Sequence, residues 1–129
     1  MALITFLVED SPTIRDNLMP ALEDMVNASI VGFAETEAEA ANWLAEHGDE
    51  WQLAIVDLFL KEGSGLGVLA GCRERGPQQR VVVLTNYATS DIRERCRKLG
   101  ADAVFDKSNE LDAFLEFCNR DRPSSFAAL

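Results

Sequence analysis

The sequence predicts an α/β domain, a doubly wound five-stranded parallel sheet with helices on both faces. Three observations carry that expectation. Five short apolar runs recur along the chain, at residues 3–8, 29–34, 53–56, 80–85 and 101–105. Segments with helical apolar spacing lie between them, most opened by a capping residue. The joints are short, so successive strands run parallel through right-handed crossovers. Runs that are apolar on both faces suit strands covered by helices on each side.

The first run ends abruptly in Glu9 and Asp10. Ser11 is placed as an N-cap and Pro12 as the first helical residue, opening a helix to about Val26 whose apolar residues Ile14, Leu18, Ala21, Leu22 and Met25 keep helical spacing. Pro20 inside it removes one backbone donor and is expected to bend it. After the second strand, Thr36 and Glu39 have the spacing of a capping box, and Gly48 stops that helix. The third strand, Leu-Ala-Ile-Val, ends in Asp57 and breaks into a Gly-rich turn. A helix over residues 66–75 should follow, closed by Gly76 and Pro77. The fourth strand, Arg-Val-Val-Val-Leu-Thr, ends at Thr85. Ser90 or Asp91 is expected to cap the fourth helix, which Gly100 ends. The fifth strand leads into Asp106 and Lys107, and Ser108 is expected to cap a last helix with Leu111, Phe114, Leu115 and Cys118 on its inner stripe.

With 129 residues the chain has room for one two-sided core, read as a domain over residues 1–120 with a short loose tail at 121–129. The net charge of −10 opposes direct nucleic-acid binding, which needs concentrated Lys and Arg. The amino-terminal apolar run is too short for a signal peptide or a membrane span, so a cytoplasmic protein with no membrane contact is expected. Cys72, Cys96 and Cys118, odd in number and set in helical patterns, read as buried free thiols. His47 reads as a surface residue, with no Ser-His-Asp arrangement around it. Trp43 and Trp51 read as packing residues near the amino-terminal edge of the sheet.

The polar residues that end the strands carry the chemistry. In open α/β sheets, ligands bind beyond the carboxyl ends of the strands. Glu9 and Asp10 arrive there from the first strand, Asp57 from the third, Thr85 from the fourth and Lys107 from the fifth. Three carboxylates in one partly buried pocket need compensating cations. Lys107 supplies one charge, and an all-oxygen donor set suits Mg²⁺ rather than zinc. Asp57 is then the natural nucleophile toward a phosphoryl group, giving an acyl phosphate, while Lys107 and Thr85 offset the charge of its oxygens.

These residues, within the segments LVEDS, VDLFLKEGSGLGVL, VVVLTNYA and GADAVFDKS, resemble the receiver domain of two-component response regulators. The resemblance covers nearly the whole chain and rests on five separated positions agreeing in order, type and placement. It implies the flavodoxin-like strand order 2-1-3-4-5, one of the two common orders of doubly wound sheets. It implies Asp57 as phosphoacceptor, with Glu9, Asp10, Asp57 and the backbone carbonyl of Phe59 as Mg²⁺ ligands, Thr85 as switch hydroxyl and Lys107 as phosphate-pairing cation. The implied function is that of a phosphorelay receiver, taking its phosphoryl group from a phosphohistidine of a histidine kinase or histidine phosphotransfer protein. Such a protein catalyses its own phosphorylation and slow dephosphorylation rather than turning over a separate substrate. The fourth and fifth helices with the fifth strand would form the output face toward a downstream protein. Arg93, Arg97 and Lys98 on the fourth helix read as solvent-facing, and could pair with Glu110, Asp112 and Glu116 of a second copy in a phosphorylation-favoured homodimer.

Two positions depart from the family pattern. Val104 stands where an aromatic switch residue is common, and Phe105 has the opposite strand parity. Ser108 replaces the proline that commonly follows the lysine, which removes the usual reason for a cis bond there. Both leave room for an alternative, a receiver-like interaction module acting without phosphorylation. A haloacid-dehalogenase-type phosphatase would need an acid at position 59, where the chain has Phe. An FMN-binding flavodoxin would meet repulsion from Glu9 and Asp10. The Gly63–Gly67 run lacks the Lys-Ser/Thr of a phosphate loop and reads as turn chemistry.

Overall fold

The alternation of β-prone and helical segments is realised in the computed structural model, which describes residues 2–120. The expected tail at 121–129 lies outside the described residues. The elements run β1 (Leu3–Val8), α1 (Pro12–Val26), β2 (Ala28–Ala34), α2 (Glu37–His47), β3 (Leu53–Val56), α3 (Gly65–Gly71), β4 (Arg80–Thr85), α4 (Ser90–Lys98), β5 (Ala103–Asp106) and α5 (Leu111–Arg120). The strands pair in parallel in the order β2-β1-β3-β4-β5, as the resemblance implied. Because successive side chains of a strand point to opposite faces, each central strand feeds two cores. Phe6, Val8, Ala54, Val56, Val81 and Val83 pack toward α2, α3 and α4, meeting Ala40, Leu69 and Cys96. Leu7, Leu53, Ile55, Val82 and Leu84 face α1 and α5, meeting Leu18, Leu22, Val26, Phe114 and Cys118. Each such buried aliphatic side chain is worth about 1.5–3 kcal/mol relative to exposure. No helix among the described residues is long and apolar enough to cross a membrane.

Local capping follows the sequence at α1 and α2. Ser11 Oγ accepts the Ile14 amide, and Thr36 Oγ1 accepts the Glu39 amide. Helix α1 continues across Pro20 and closes at Asn27, whose φ of 54° is left-handed. Gly100, with φ of 99°, follows α4 as expected. All three cysteines are buried and free, and burial pushes the Cys72 thiol up to about 11 and that of Cys118 to about 12. His47 is half-buried rather than solvated, because its ring stacks on Trp43, which stacks in turn on Phe6. Trp51 is buried near the amino-terminal edge.

Several boundaries differ, each for a physical reason. Helix α3 stops at Gly71 because Arg75 turns back, donating to the Cys72, Gln79 and Gly100 carbonyls and pairing with Asp102 at 2.7 Å. Thr89, not Ser90 or Asp91, caps α4 through the Ile92 amide. Strand β5 begins only at Ala103, since the Asp102 carboxylate is occupied by the Val81 amide. Ser108 does not cap α5. The Asp106 carboxylate accepts the Ser108 and Asn109 amides instead, holding a turn that delays the helix to Leu111. That turn leaves Leu111 39% exposed, and Met25 near the end of α1 is 64% exposed, so neither belongs to the inner stripe.

The fourth helix also differs in its charges. Arg93 is not a free surface cation: it donates to the Ala88 and Val104 carbonyls and pairs with Glu110 at 2.6 Å. Arg97 pairs with Glu94, and Glu116 with Arg120. A symmetric dimer through α4 and α5 would have to exchange these partners. The Val104 and Phe105 parity holds, with Val104 against the α4 face and Phe105 among Phe114 and Phe117 on the other. The described residues contain no cis peptide bond, so the bond before Ser108 is trans.

Gly65 marks where the site is tied to this frame. Its amide bonds the Leu58 carbonyl, and a Cβ there would meet the Leu58 Cα at 2.7 Å and overlap the Asp57 carbonyl. Both neighbours are backbone and cannot swing aside. Gly65→Ala is therefore expected to destabilise the fold by about 2–3 kcal/mol in urea unfolding, the scale of core overpacking. An unchanged midpoint would show that the β3–α3 backbone is looser than described.

Candidate functional site at the carboxyl edge of the sheet

The strand ends bring the predicted acids together because β1 and β3 are neighbours in register, Val8 opposite Val56. The Asp57 amide continues that ladder by donating to the Val8 carbonyl at 2.9 Å. Glu9 and Asp57 are 2% and 7% exposed, and Asp10 is half-buried. One carboxylate oxygen from each of Glu9, Asp10 and Asp57 lies within 4.8 Å of the other two. An all-carboxylate cluster without thiol or imidazole fits a hard divalent cation of the Mg²⁺ type.

Lys107 enters from beyond β5. Its amide bonds the Thr85 carbonyl at 2.9 Å, which fixes the stem. Its ammonium then sits 2.6 Å from Glu9 Oε1 and 3.2 Å from Asp57 Oδ2. Glu9 Oε2 accepts the Ser11 amide, so both its oxygens are engaged. Thr85 is fully buried at the end of β4, and its hydroxyl accepts the Tyr87 amide at 3.2 Å. In this arrangement the Thr85 hydroxyl is turned into its own loop while Lys107 already spans two of the acids.

The family model of the response regulator receiver domain matches residues 5–119. The chain belongs to that family. As a receiver it is 41% identical over 54 residues to the photosynthetic apparatus regulatory protein RegA of Rhodobacter capsulatus, covering 42% of this chain and 29% of that protein. It is 28% identical over 106 residues to a cyclic di-GMP phosphodiesterase of Thermotoga maritima, covering 82% of this chain and 27% of that one. The chain thus spans less than a third of the length of these relatives. Among solved structures, a DNA-binding response regulator of the LuxR family from Staphylococcus aureus superposes with a TM-score of 0.80 at 18% identity, over 92% of this chain and 98% of that one. A response regulator from Burkholderia pseudomallei, solved with a phosphorylated aspartic acid, calcium ion and citrate, gives 0.76 at 24% identity, over 98% and 71% of the two chains. At these identities the likeness establishes the receiver fold.

The receiver's rim carries features that sequence reasoning passed over: the Phe59 ring, assigned before only for its backbone carbonyl, and Tyr87, Arg15, Glu35 and Lys61. Phe59 and Tyr87, 56% and 58% exposed, meet edge to face with centroids 4.7 Å apart. Each lies two positions beyond a strand-end site residue, Asp57 and Thr85, and that shared offset was the available signal. Arg15 donates to the Glu9 carbonyl, pairs with Glu35 at 2.8 Å and lies over the Phe33 ring. Lys61 joins from the other side of Glu35, and the two cations hold that carboxyl below its usual range, the hydrogen bond from Lys61 first. A tertiary meeting of four segments leaves no mark in local sequence.

Burial pushes the Asp57 carboxyl up to about 6; the Lys107 charge opposes this, Glu9 reinforces it, and hydrogen bonds from Lys107 and the Phe59 amide pull it down. Desolvation of the carboxylate therefore outweighs its ammonium partner. An acid whose proton affinity is raised on folding contributes stability that is present below its unfolded value, 3.8, and lost as pH rises through about 6. Without metal, Asp57→Asn should match the wild type near pH 4 and exceed it by about 1–3 kcal/mol above pH 7, at roughly 1.4 kcal/mol per tenfold in proton affinity. Urea unfolding in EDTA across that range checks this, and a gap independent of pH would contradict the assignment.

Proposed function

We propose that this receiver is the phosphoacceptor of a two-component phosphorelay, with Asp57 taking the phosphoryl group from a phosphohistidine of a histidine kinase or histidine phosphotransfer protein. One observation supports it above the others: a strand-end carboxylate, 7% exposed, lies within 3.2 Å of an ammonium and beside two further acids. A nucleophile with a fixed approach and a cation beside it meets the two needs of phosphoryl transfer, positioning and charge stabilisation.

In this reading an Asp57 oxygen attacks phosphorus as the P–N bond breaks, and the imidazole leaves with a proton. The product is an acyl phosphate on Asp57, returned by water to the free carboxylate and inorganic phosphate. Lys107, held between Glu9 and Asp57, transfers its hydrogen bonds to a phosphoryl oxygen. Thr85 gives up the Tyr87 amide and turns its hydroxyl toward the same group, drawing the 86–89 loop inward. Glu9, Asp10, Asp57 and the Phe59 carbonyl would hold Mg²⁺. That ion, when bound, neutralises charge shared between the carboxylates and the incoming phosphoryl oxygens.

The output is the face made by α4, β5 and α5. Arg93 binds the Ala88 carbonyl in the moving loop, the Val104 carbonyl on β5 and Glu110 ahead of α5. A shift of that loop is thereby felt across the face offered to a downstream protein. This reading puts the protein in the cytoplasm, and a homodimer through the same face would exchange the intramolecular pairs made by Arg93 and Arg97.

Acetyl phosphate with Mg²⁺ is expected to add one phosphoryl group to the wild type by intact mass, none to Asp57→Asn, and none in EDTA. Equal labelling of wild type and Asp57→Asn would refute the site. An unlabelled wild type that binds its partner regardless would favour an interaction module acting without phosphate.

A further inference from the structure

The β3–α3 loop carries Phe59, and nothing in its own sequence makes it rigid. Gly63, with φ of 79°, and Gly65 sit within or beside it. Beside the Gly65–Leu58 bond and the Lys61–Glu35 pair, it is held by the first turn of α2. The Glu37 amide donates to the Glu62 carbonyl at 3.1 Å, and a parallel bridge joins Thr36 to Glu62. Glu37 Oε1 accepts the Ser64 amide at 2.9 Å. Ser64 is bridged to Phe59 across the loop, and Phe59 stands two residues beyond Asp57. Two links thus run from Glu37 through Ser64 to the Phe59 backbone, next but one to Asp57.

The loop is also shaped around this carboxylate. A Cβ at Gly63 would stand 2.5 Å from the Glu37 Cβ, and one at Gly67 would lie 2.7 Å from Glu37 Oε1 and overlap Oε2. A side chain at Gly67 would expel the Glu37 carboxylate, and one at Gly63 would press on the Glu37 Cβ itself. Two glycines therefore leave space that one carboxylate fills. Such a hydrogen-bonded carboxylate behind a site residue is the usual means of fixing ligand orientation.

We propose that Glu37 is a positioning residue for the phosphoacceptor site, clamping the β3–α3 loop so that the Phe59 backbone and the Asp57 carboxylate are held ready for a divalent cation. This rests on the phosphoacceptor reading for its purpose, but not for its geometry. Glu37 acts through the Ser64 amide, so an acceptor is what the position requires and a negative charge is not. Gln keeps the acceptor, whereas Ala removes it.

The test is Mg²⁺ binding by calorimetry, without phosphodonor, together with amide hydrogen exchange at Phe59 in the metal-free protein. Glu37→Ala should weaken Mg²⁺ binding about tenfold, the low end of the effect of losing an outer-shell partner. It should also speed Phe59 exchange at least about tenfold, as local opening becomes easier. Glu37→Gln should stay within about threefold of wild type on both readouts. Gly67→Ala, which retains Glu37 but displaces its carboxylate, should behave like Glu37→Ala and decides the matter if that variant does not fold. Wild-type affinity and Phe59 protection in Glu37→Ala would overturn the proposal. Equal losses in Glu37→Gln and Glu37→Ala would also overturn it, by assigning the effect to charge. If the wild type itself binds no Mg²⁺, the phosphoacceptor reading falls, and Phe59 exchange still decides the role of Glu37.

Discussion

Concentrating negative charge at one end of a parallel sheet is the constraint to which much of this molecule answers. Glu9 and Asp57 are almost completely buried and belong to adjacent strands, so their repulsion cannot be relieved by water or by moving apart. The Lys107 ammonium, 2.6 Å and 3.2 Å from the two, is the compensation built into the chain. It is incomplete, since burial still raises the Asp57 carboxyl to about 6. Three acids facing one ammonium leave the pocket with excess negative charge, which suits a hard divalent cation.

The frame around this pocket is stiff where the acids need it to be. Strands β1, β3 and β4 bury nearly every residue, and their alternate side chains lock into two cores. Positions of strand ends are set by that packing. The loops that follow these strands are each tied by a side chain reaching from another element. Glu37 grips the loop after β3, Arg93 the loop after β4, and Arg15 the turn after β1. Rigid strands and individually stapled loops are a physical basis for a switch, because a few hydrogen bonds can be exchanged without disturbing the core.

The position of Val104 bears on how such a switch is read out. An aliphatic residue here cannot act as a rotating aromatic, and Phe105 is committed to the opposite core with Phe114 and Phe117. The bulky exposed rings nearest the site are instead Phe59 and Tyr87, in contact with one another across two loops. Movement of Thr85 would act on that contact directly, through the Tyr87 amide bonded to its hydroxyl.

Short doubly apolar runs, the helical spacing between them and the polar residue ending each run were enough to determine the fold class and the five strands, and the order implied by the family resemblance then put Glu9, Asp10, Asp57, Thr85 and Lys107 at one edge. The class and the strands follow from periodicity and strand direction, which are local properties of a chain. Tertiary structure alone decided that Asp106 rather than Ser108 holds the turn before α5, that Arg75 shortens α3, and that Arg93 faces Glu110 rather than solvent. It also decided the pairing of Glu37 with Ser64, 27 positions away. Such side chains select their partners by proximity after the sheet has formed, and a charged residue on a helix reads the same in sequence whether it ends in water or against another loop.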